Sequence, residues 1–428
     1  MVCLLFKIEK FYMKKSFIEV PQNHPFPLYN LPYGVFKYQG RTAIGVAIGD
    51  LILDLTALEE KGLMPIASLN GKKVFNQQSL NCFISTGKKC WQEVRQYLVH
   101  LLDANTPDLR DNPDLISEIL IPQKDVIMKL PVKARGYTDF YSSIEHATNM
   151  GKMFRDPANP LLPNWCHMPI GYDGRASAIV VSGTQIRRPC GQLKIGDAAP
   201  IYGATNQFDT EIELGFIIGT GNELGSPINV DSAADHVFGA VMLLDWSARD
   251  IQRWEYVPLG PFLGKNFGTT ISPWVVTMDA LQLFSVDGPL QAPQPLPYLQ
   301  RKNTNFDIDL SLAIKTEKMT DYQEIAKTNY KHMYWDISQQ VTHHTSNGCN
   351  LEPGDILGTG TISGPIPSSY GSMLELTWNC TNPIKLSSAE ERFYLEDFDS
   401  MRVTANAQKG DLCIGFGQAE ASVLPADL

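Results

Sequence analysis

The sequence predicts a mainly β protein with some helix, organised as a smaller N-terminal region followed by a larger β-rich one. Three observations carry this. Short apolar runs separated by Gly, Pro and Asn recur through most of the chain. Only one long stretch, residues 78–120, sets its apolar residues at helical spacing. The chain has 428 residues, more than one ordinary core accommodates, so two domains or one unusually large β-rich domain is expected, and two is the reading adopted. With 43% apolar and 19% charged residues, the composition is that of an ordinary globular protein able to form a sizeable core.

In chain order, residues 1–15 read as an extension. Met1 to Phe6 is apolar but is broken by Lys7, Glu9 and Lys10, too short a run for a signal peptide, and Met13 offers a second start. Residues 16–130 form the first region. From Tyr33 to Leu55, Gly34, Gly40, Gly45 and Gly49 punctuate short apolar runs and predict a small barrel or sheet. Trp91, Val94, Tyr97, Leu98, Leu101 and Leu102 then predict helix. A boundary is placed between Pro122 and Pro131, where the motif content changes. In residues 131–428, strands are expected over Ala178–Val181, Ile212–Ile218, Val237–Leu244 and Met373–Trp378, with a proline-rich loop from Gly288 to Tyr298.

The formal net charge is −10 and no long Lys/Arg run exists, which argues against a nucleic-acid partner and for a small-molecule one. No run approaches the length of a membrane span. The eight cysteines are scattered without close pairs, as in a reduced cytoplasmic protein. Gly260 to Lys265 lacks the spacing and hydroxyl of a phosphate loop. Gly219-Thr-Gly221 suits a hairpin better than a dinucleotide turn, and His343-His344 suits hydrogen-bonded structural histidines better than metal ligands.

The chemistry concentrates elsewhere. Asp209, Glu211 and Glu213 alternate with Ile212, Leu214 and Phe216, so the acidic residues share one strand face, which a solvated surface or a cation site would each tolerate. Asp245 ends the apolar run Val241–Leu244, and Asp139 sits within the aromatic stretch Tyr137–Tyr141. Neither is a natural place for an unpaired charge. Asp139 and Asp245 with the Glu211/Glu213 pair suit a hard divalent cation, calcium or magnesium rather than zinc. Arg249, Gln252 and Tyr256 would share a helix face able to bind a carboxylate or enolate, or simply form a surface helix with a salt bridge. Lys265 and Thr269 follow in a glycine-rich loop. His146 is a candidate base, and Glu375, which interrupts what reads as an apolar strand, is a candidate to orient it.

Four stretches, Tyr137 to Ser143, His146-Ala-Thr-Asn-Met-Gly-Lys-Met-Phe-Arg155-Asp156, Asp245-Trp-Ser-Ala-Arg-Asp-Ile-Gln252 and Val257-Pro-Leu-Gly-Pro-Phe-Leu-Gly-Lys265, resemble the fumarylacetoacetate hydrolase family. The likeness extends from about Ser16 to Gln418. It implies an N-terminal SH3-like barrel domain over 16–130, a catalytic β-roll domain over 131–428, and a homodimer. It further implies calcium ligands at Asp139, Glu211, Glu213 and Asp245, and magnesium positions at Asp245, Lys265 and Thr269. Tyr141, Arg155, Tyr172, Gln252, Tyr256 and Thr361 match substrate contacts. His146 backed by Glu375 matches the general base, and Arg249, Gln252 and Lys265 match the group that stabilises the leaving anion. One departure is the pair Ile144-Glu145 where Arg-Gln is expected, which adds negative charge beside the base.

The activity so implied is hydrolysis of the carbon–carbon bond of 4-fumarylacetoacetate to fumarate and acetoacetate, the last step of tyrosine and phenylalanine breakdown. Two rivals remain at this stage: a related acylpyruvate hydrolase or decarboxylase with the same carboxylate site, and a non-catalytic metal- or diacid-binding protein on the same scaffold.

Overall fold

The computed structural model describes residues 14–427. The extension read over residues 1–15 lies, apart from Lys14 and Lys15, outside the described residues.

The expected β region from Tyr33 begins with a tight hairpin. Tyr33–Tyr38 and Arg41–Ile48 pair antiparallel through Gln39 and Gly40, both at positive φ (46° and 85°), the two-residue geometry that matches strand twist. Leu51–Asp54 continues the sheet, and Asp54 then caps the helix Leu55–Glu60 by accepting from the Ala57 amide at 2.9 Å. The helical stretch resolves into several pieces, of which Lys88–Leu102 is the longest. It buries Trp91, Val94, Leu98, Leu101 and Leu102, while Tyr97 is half-buried.

After these helices the chain returns to the first sheet, whose order is Leu120–Pro122, Leu51–Asp54, Arg41–Ile48, Tyr33–Tyr38, Ile127–Lys129. This corrects one expectation. The outermost strands have three residues each and no ladder joins them, so the sheet is an open antiparallel one and not a closed small barrel.

The larger region is centred on two long antiparallel strands, Phe208–Ile218 and Val237–Ala248, every residue of which is buried. Their register sets Glu211 opposite Asp245 and Leu214 opposite Met242. The sheet runs Gly171–Asp173, Tyr137–Phe140, Ile356–Gly358, Phe208–Ile218, Val237–Ala248, Thr269–Ile271, Ile179–Val181, with Val276–Thr277 also paired to Val237–Ala248.

One face of the long pair, carrying Ile212, Leu214, Phe216, Met242 and Leu244, packs on a five-stranded sheet through residues such as Leu310, Leu312, Val403 and Phe416. The other face is divided. Ile217, Val241 and Leu243 are covered by the N-terminal region, and further along the same face stand Glu213, Glu211, Asp245 and Asp209.

Two local readings change. Met373–Leu376 is a short helix, not a strand. Ser372 caps it, and the Asp209 carboxylate accepts the Met373 and Leu374 amides at 2.9 and 3.2 Å, so tertiary partners supply what four residues cannot supply for themselves. Gly219-Thr-Gly221 opens a long connection back to His236 and is not a tight hairpin. A Cβ on Gly221 would lie 1.8 Å from the Leu351 carbonyl oxygen, which accounts for glycine there. His343 and His344 do form hydrogen bonds, to Tyr298 (3.0 Å) and Thr138 (2.9 Å).

Candidate active site

Asp139 comes from Tyr137–Phe140, Glu213 from Phe208–Ile218 and Asp245 from Val237–Ala248. Each can present one carboxylate oxygen such that the three lie within 4.8 Å of one another. Asp139 Oδ1, Glu213 Oε1 and Asp245 Oδ1 are buried without hydrogen-bond partners. Burial and the neighbouring carboxylates push all three carboxyls up: Asp139 to about 6, Glu213 and Asp245 well above their usual range. Three crowded acids with orphaned oxygens form a cradle that suits a hard, oxygen-seeking divalent cation. Gly358 makes room for it, since a Cβ there would lie 2.8 Å from Asp139 Oδ1 and 3.0 Å from Glu213 Oε2.

Glu211 stands beside the cradle, but its oxygens are directed to cations of the chain: Arg249 Nη2 donates to Oε1 at 2.5 Å and Lys265 Nζ to Oε2 at 2.8 Å. Burial pushes Glu211 up, yet Arg249, Lys265 and His146 together outweigh it and hold the group well below the usual range. Lys265 also donates to Asp245. Burial opposes its charge, and the two carboxylates reverse that effect and keep the ammonium protonated. An ammonium has no lone pair to offer a metal, so Lys265 serves the cradle as counter-charge. Thr269 is buried opposite Asp245 in the neighbouring strand, where a glycine-rich loop was expected.

His146 lies in the first turn of the helix Ile144–Phe154, whose cap Ser143 accepts the His146 amide at 3.1 Å. Its Nδ1 is 2.8 Å from Glu375 Oε2, which fixes the ring, while Nε2 is 3.2 Å from Thr361 Oγ1 and 3.9 Å from Glu211 Oε1. Glu375 in turn accepts from Asn149 Nδ2 (2.9 Å), Ser363 Oγ (2.9 and 3.0 Å) and Ser372 Oγ (2.9 Å). Burial raises this carboxyl, but His146 and these donors outweigh it and the group stays ionised, below its usual range. Asn149, Ser363 and Ser372 carry no signal of this role in the sequence. Tyr141 packs edge-on to the imidazole at 5.3 Å.

Among the remaining expected contacts, Arg249 Nη1 donates to Gln252 Oε1 at 3.3 Å, so those two do share a helix face. Tyr256 ends that helix and stands 51% exposed. Arg155 is exposed, with its guanidinium on the Pro160 carbonyl at 2.9 Å. Tyr172 pairs opposite Asp139 and lines, with Lys265 and Asn266, a cavity of about 230 Å3.

An imidazole held by a buried carboxylate, close to an acidic cluster and two buried cations of the chain, is an arrangement chemically able to activate water and to stabilise an anion, as a hydrolase requires. Residues 29–131 match the model of the fumarylacetoacetase N-terminal region and residues 135–424 that of the fumarylacetoacetate hydrolase C-terminal region, and the chain belongs to this family. It is 52% identical to the fumarylacetoacetase of Homo sapiens over 96% of this chain and 99% of that protein. It is 51% identical to that of Dictyostelium discoideum over 96% and 98%. The solved fumarylacetoacetate hydrolase of Exiguobacterium antarcticum, 19% identical, shares the fold with a TM-score of 0.52 over 92% of this chain and 99% of that one.

Proposed function

We propose that this enzyme hydrolyses 4-fumarylacetoacetate to fumarate and acetoacetate, as the names of its half-identical, full-length relatives imply. The observation in the structure that carries the chemistry is the buried Glu375–His146 pair, with Nε2 facing Thr361 and Glu211 next to the cation cradle. Glu375 holds Nδ1 as the donor, which leaves Nε2 to take a proton from water. The hydroxide so formed adds to the substrate carbonyl. The carbon–carbon bond then breaks, its electron pair leaves on the acetoacetate carbon, and the imidazolium returns the proton there.

Arg249 is anchored through Nε and Nη2, which leaves its Nη1 edge beside Gln252 to face the anion that departs. Lys265 adds positive charge from the opposite side of Glu211. A calcium or magnesium ion held by Asp139, Glu213 and Asp245, with Glu211 adjacent, would polarise the diketo oxygens.

The family resemblance supports the finer points of this reading: calcium or magnesium as the ion, Glu211 as a fourth calcium ligand, substrate contacts from Tyr141, Arg155, Tyr172, Gln252, Tyr256 and Thr361, a magnesium contact at Thr269, and a homodimer, while the scattered cysteines support a cytoplasmic site of action. It also supports a β-roll for the larger domain. The division near residue 130 is supported by the two family models, which meet between 131 and 135. The test is turnover, followed by loss of the substrate's ultraviolet absorbance, with 4-fumarylacetoacetate beside a simple acylpyruvate. Strong preference for the first is expected. Equal turnover would favour the acylpyruvate hydrolase reading, and no turnover of either would favour a binding protein.

A further inference from the structure

Asp209 is fully buried and lies outside the cation cradle, on the same strand face as Glu211 and Glu213. Its two oxygens take four donors. Oδ1 accepts the amides of Thr210 (2.7 Å) and Met373 (2.9 Å), and Oδ2 accepts the Leu374 amide (3.2 Å) and Arg249 Nε (2.8 Å). Met373 and Leu374 open the short helix that carries Glu375, the partner of His146. Arg249 is the cation that faces the departing anion. The base arm and the anion arm, on segments more than a hundred residues apart in sequence, therefore meet on one carboxylate.

We propose that Asp209 is a positioning residue that locks the Glu375 turn and the Arg249 guanidinium into one rigid unit, so that proton abstraction and anion stabilisation are geometrically coupled. The proposal rests on the assignment of Glu375 and Arg249 made above. A carboxylate is required because all four partners are donors. An amide at this position accepts on one atom and donates on the other, and whichever way it is turned it sets an N–H against either Met373 or Arg249 and breaks one arm.

The test is Asp209→Asn in the full-length enzyme, with Glu375→Gln and Arg249→Lys measured alongside. Asp209→Asn is expected to bind the divalent cation as the parent does and to lower kcat by at least about 30-fold with KM changed less than about 3-fold, the pattern of lost transition-state positioning. Combined with Glu375→Gln it should be little worse than the more damaging single change. A kcat within about 3-fold of the parent in a folded protein, while Glu375→Gln and Arg249→Lys are both slow, overturns the proposal. If those two are themselves normal, the assignment on which it rests has failed instead.

Should Asp209→Asn not fold, the same coupling is read in Arg249→Lys, which keeps the buried charge but loses the fork. Hydrogen exchange at the Met373 and Leu374 amides at least about 10-fold faster than in the parent supports the proposal, and unchanged exchange there overturns it.

Discussion

His146 Nδ1 lies 2.8 Å from Glu375 Oε2 across 229 residues of sequence, and both side chains are buried. In the proposed mechanism the carboxylate acts on the reaction only through the ring it holds. His146→Gln is therefore expected to keep the fold and the cation and to lose turnover by about 10²–10⁴-fold, because an amide can hydrogen-bond water but cannot take its proton. Glu375→Gln should be milder, and the double variant should resemble His146→Gln alone. Normal turnover by His146→Gln in a steady-state assay would remove it as the base.

The cradle makes cation binding a stability term with a definite pH dependence. Asp139, Glu213 and Asp245 have raised carboxyls in the folded chain against unfolded values of about 4. Without a cation, their protonated forms contribute stability that is complete below about pH 4 and is lost as pH rises through about 6 and beyond. A bound cation replaces those protons. The Tm difference between cation-saturated and chelated protein should accordingly widen from pH 5 to pH 8, with protons released on binding. A constant difference across that range would count against a carboxylate cradle.

Gly358→Ala tests the cradle from its floor. The added Cβ would meet Asp139 Oδ1 at 2.8 Å and Glu213 Oε2 at 3.0 Å, so one carboxylate must turn away. Calorimetric titration should show cation affinity lower by at least about 10-fold, with the Tm of the chelated protein little changed. Parent-like affinity would mean that these two side chains do not converge on the ion.

Trp378, Asn379 and Cys380 are three successive non-glycine residues at positive φ (48°, 52° and 64°), a turn of left-handed backbone that L-residues resist. Cys380 has neither the short polar side chain that eases this conformation in asparagine nor glycine's freedom. Cys380→Gly is expected to stabilise the protein by about 0.5–1 kcal/mol, net of glycine's greater entropy when unfolded. A rise in the denaturant midpoint that Cys380→Ala does not reproduce would verify it.

The alternation from Asp209 to Phe216 was readable because strand geometry has a period of two, and the segment is a strand as expected. What the pattern could not reveal was that both faces of this strand are covered. A solvated acidic face was a fair reading, because no local signal shows that Arg249, Lys265, Gly360 and the Met373–Leu376 helix enclose these carboxylates. The convergence of Asp139, Glu213 and Asp245 depends on the parallel pairing of Tyr137–Phe140 with Ile356–Gly358, and no local signal announces such a pairing. Glu375 was found as a charge interrupting an apolar run, but in the wrong secondary structure. The caps that make its segment helical come from Ser372 and from Asp209, 164 residues from the Met373 amide that it accepts. Asp209 itself was seen on the acidic face without a task of its own, because its task lies in whom it binds.

The divided face of the two long strands also bears on which inherited changes would silence this protein. Phe238, on the strand Val237–Ala248 that carries Asp245, is boxed by the rings of Tyr33, Phe83 and Trp91 at 5.5, 5.7 and 5.2 Å. None of those three belongs to the acidic cradle, yet truncating one opens a hole beneath the strand that delivers Asp245 to it, at a cost of about 3–5 kcal/mol. In a cell that loss is read as abundance, with chains cleared before they ever meet substrate. Truncation of Tyr33, Phe83 or Trp91 would therefore lower the amount of active protein, while the molecules that fold could turn over at a normal rate.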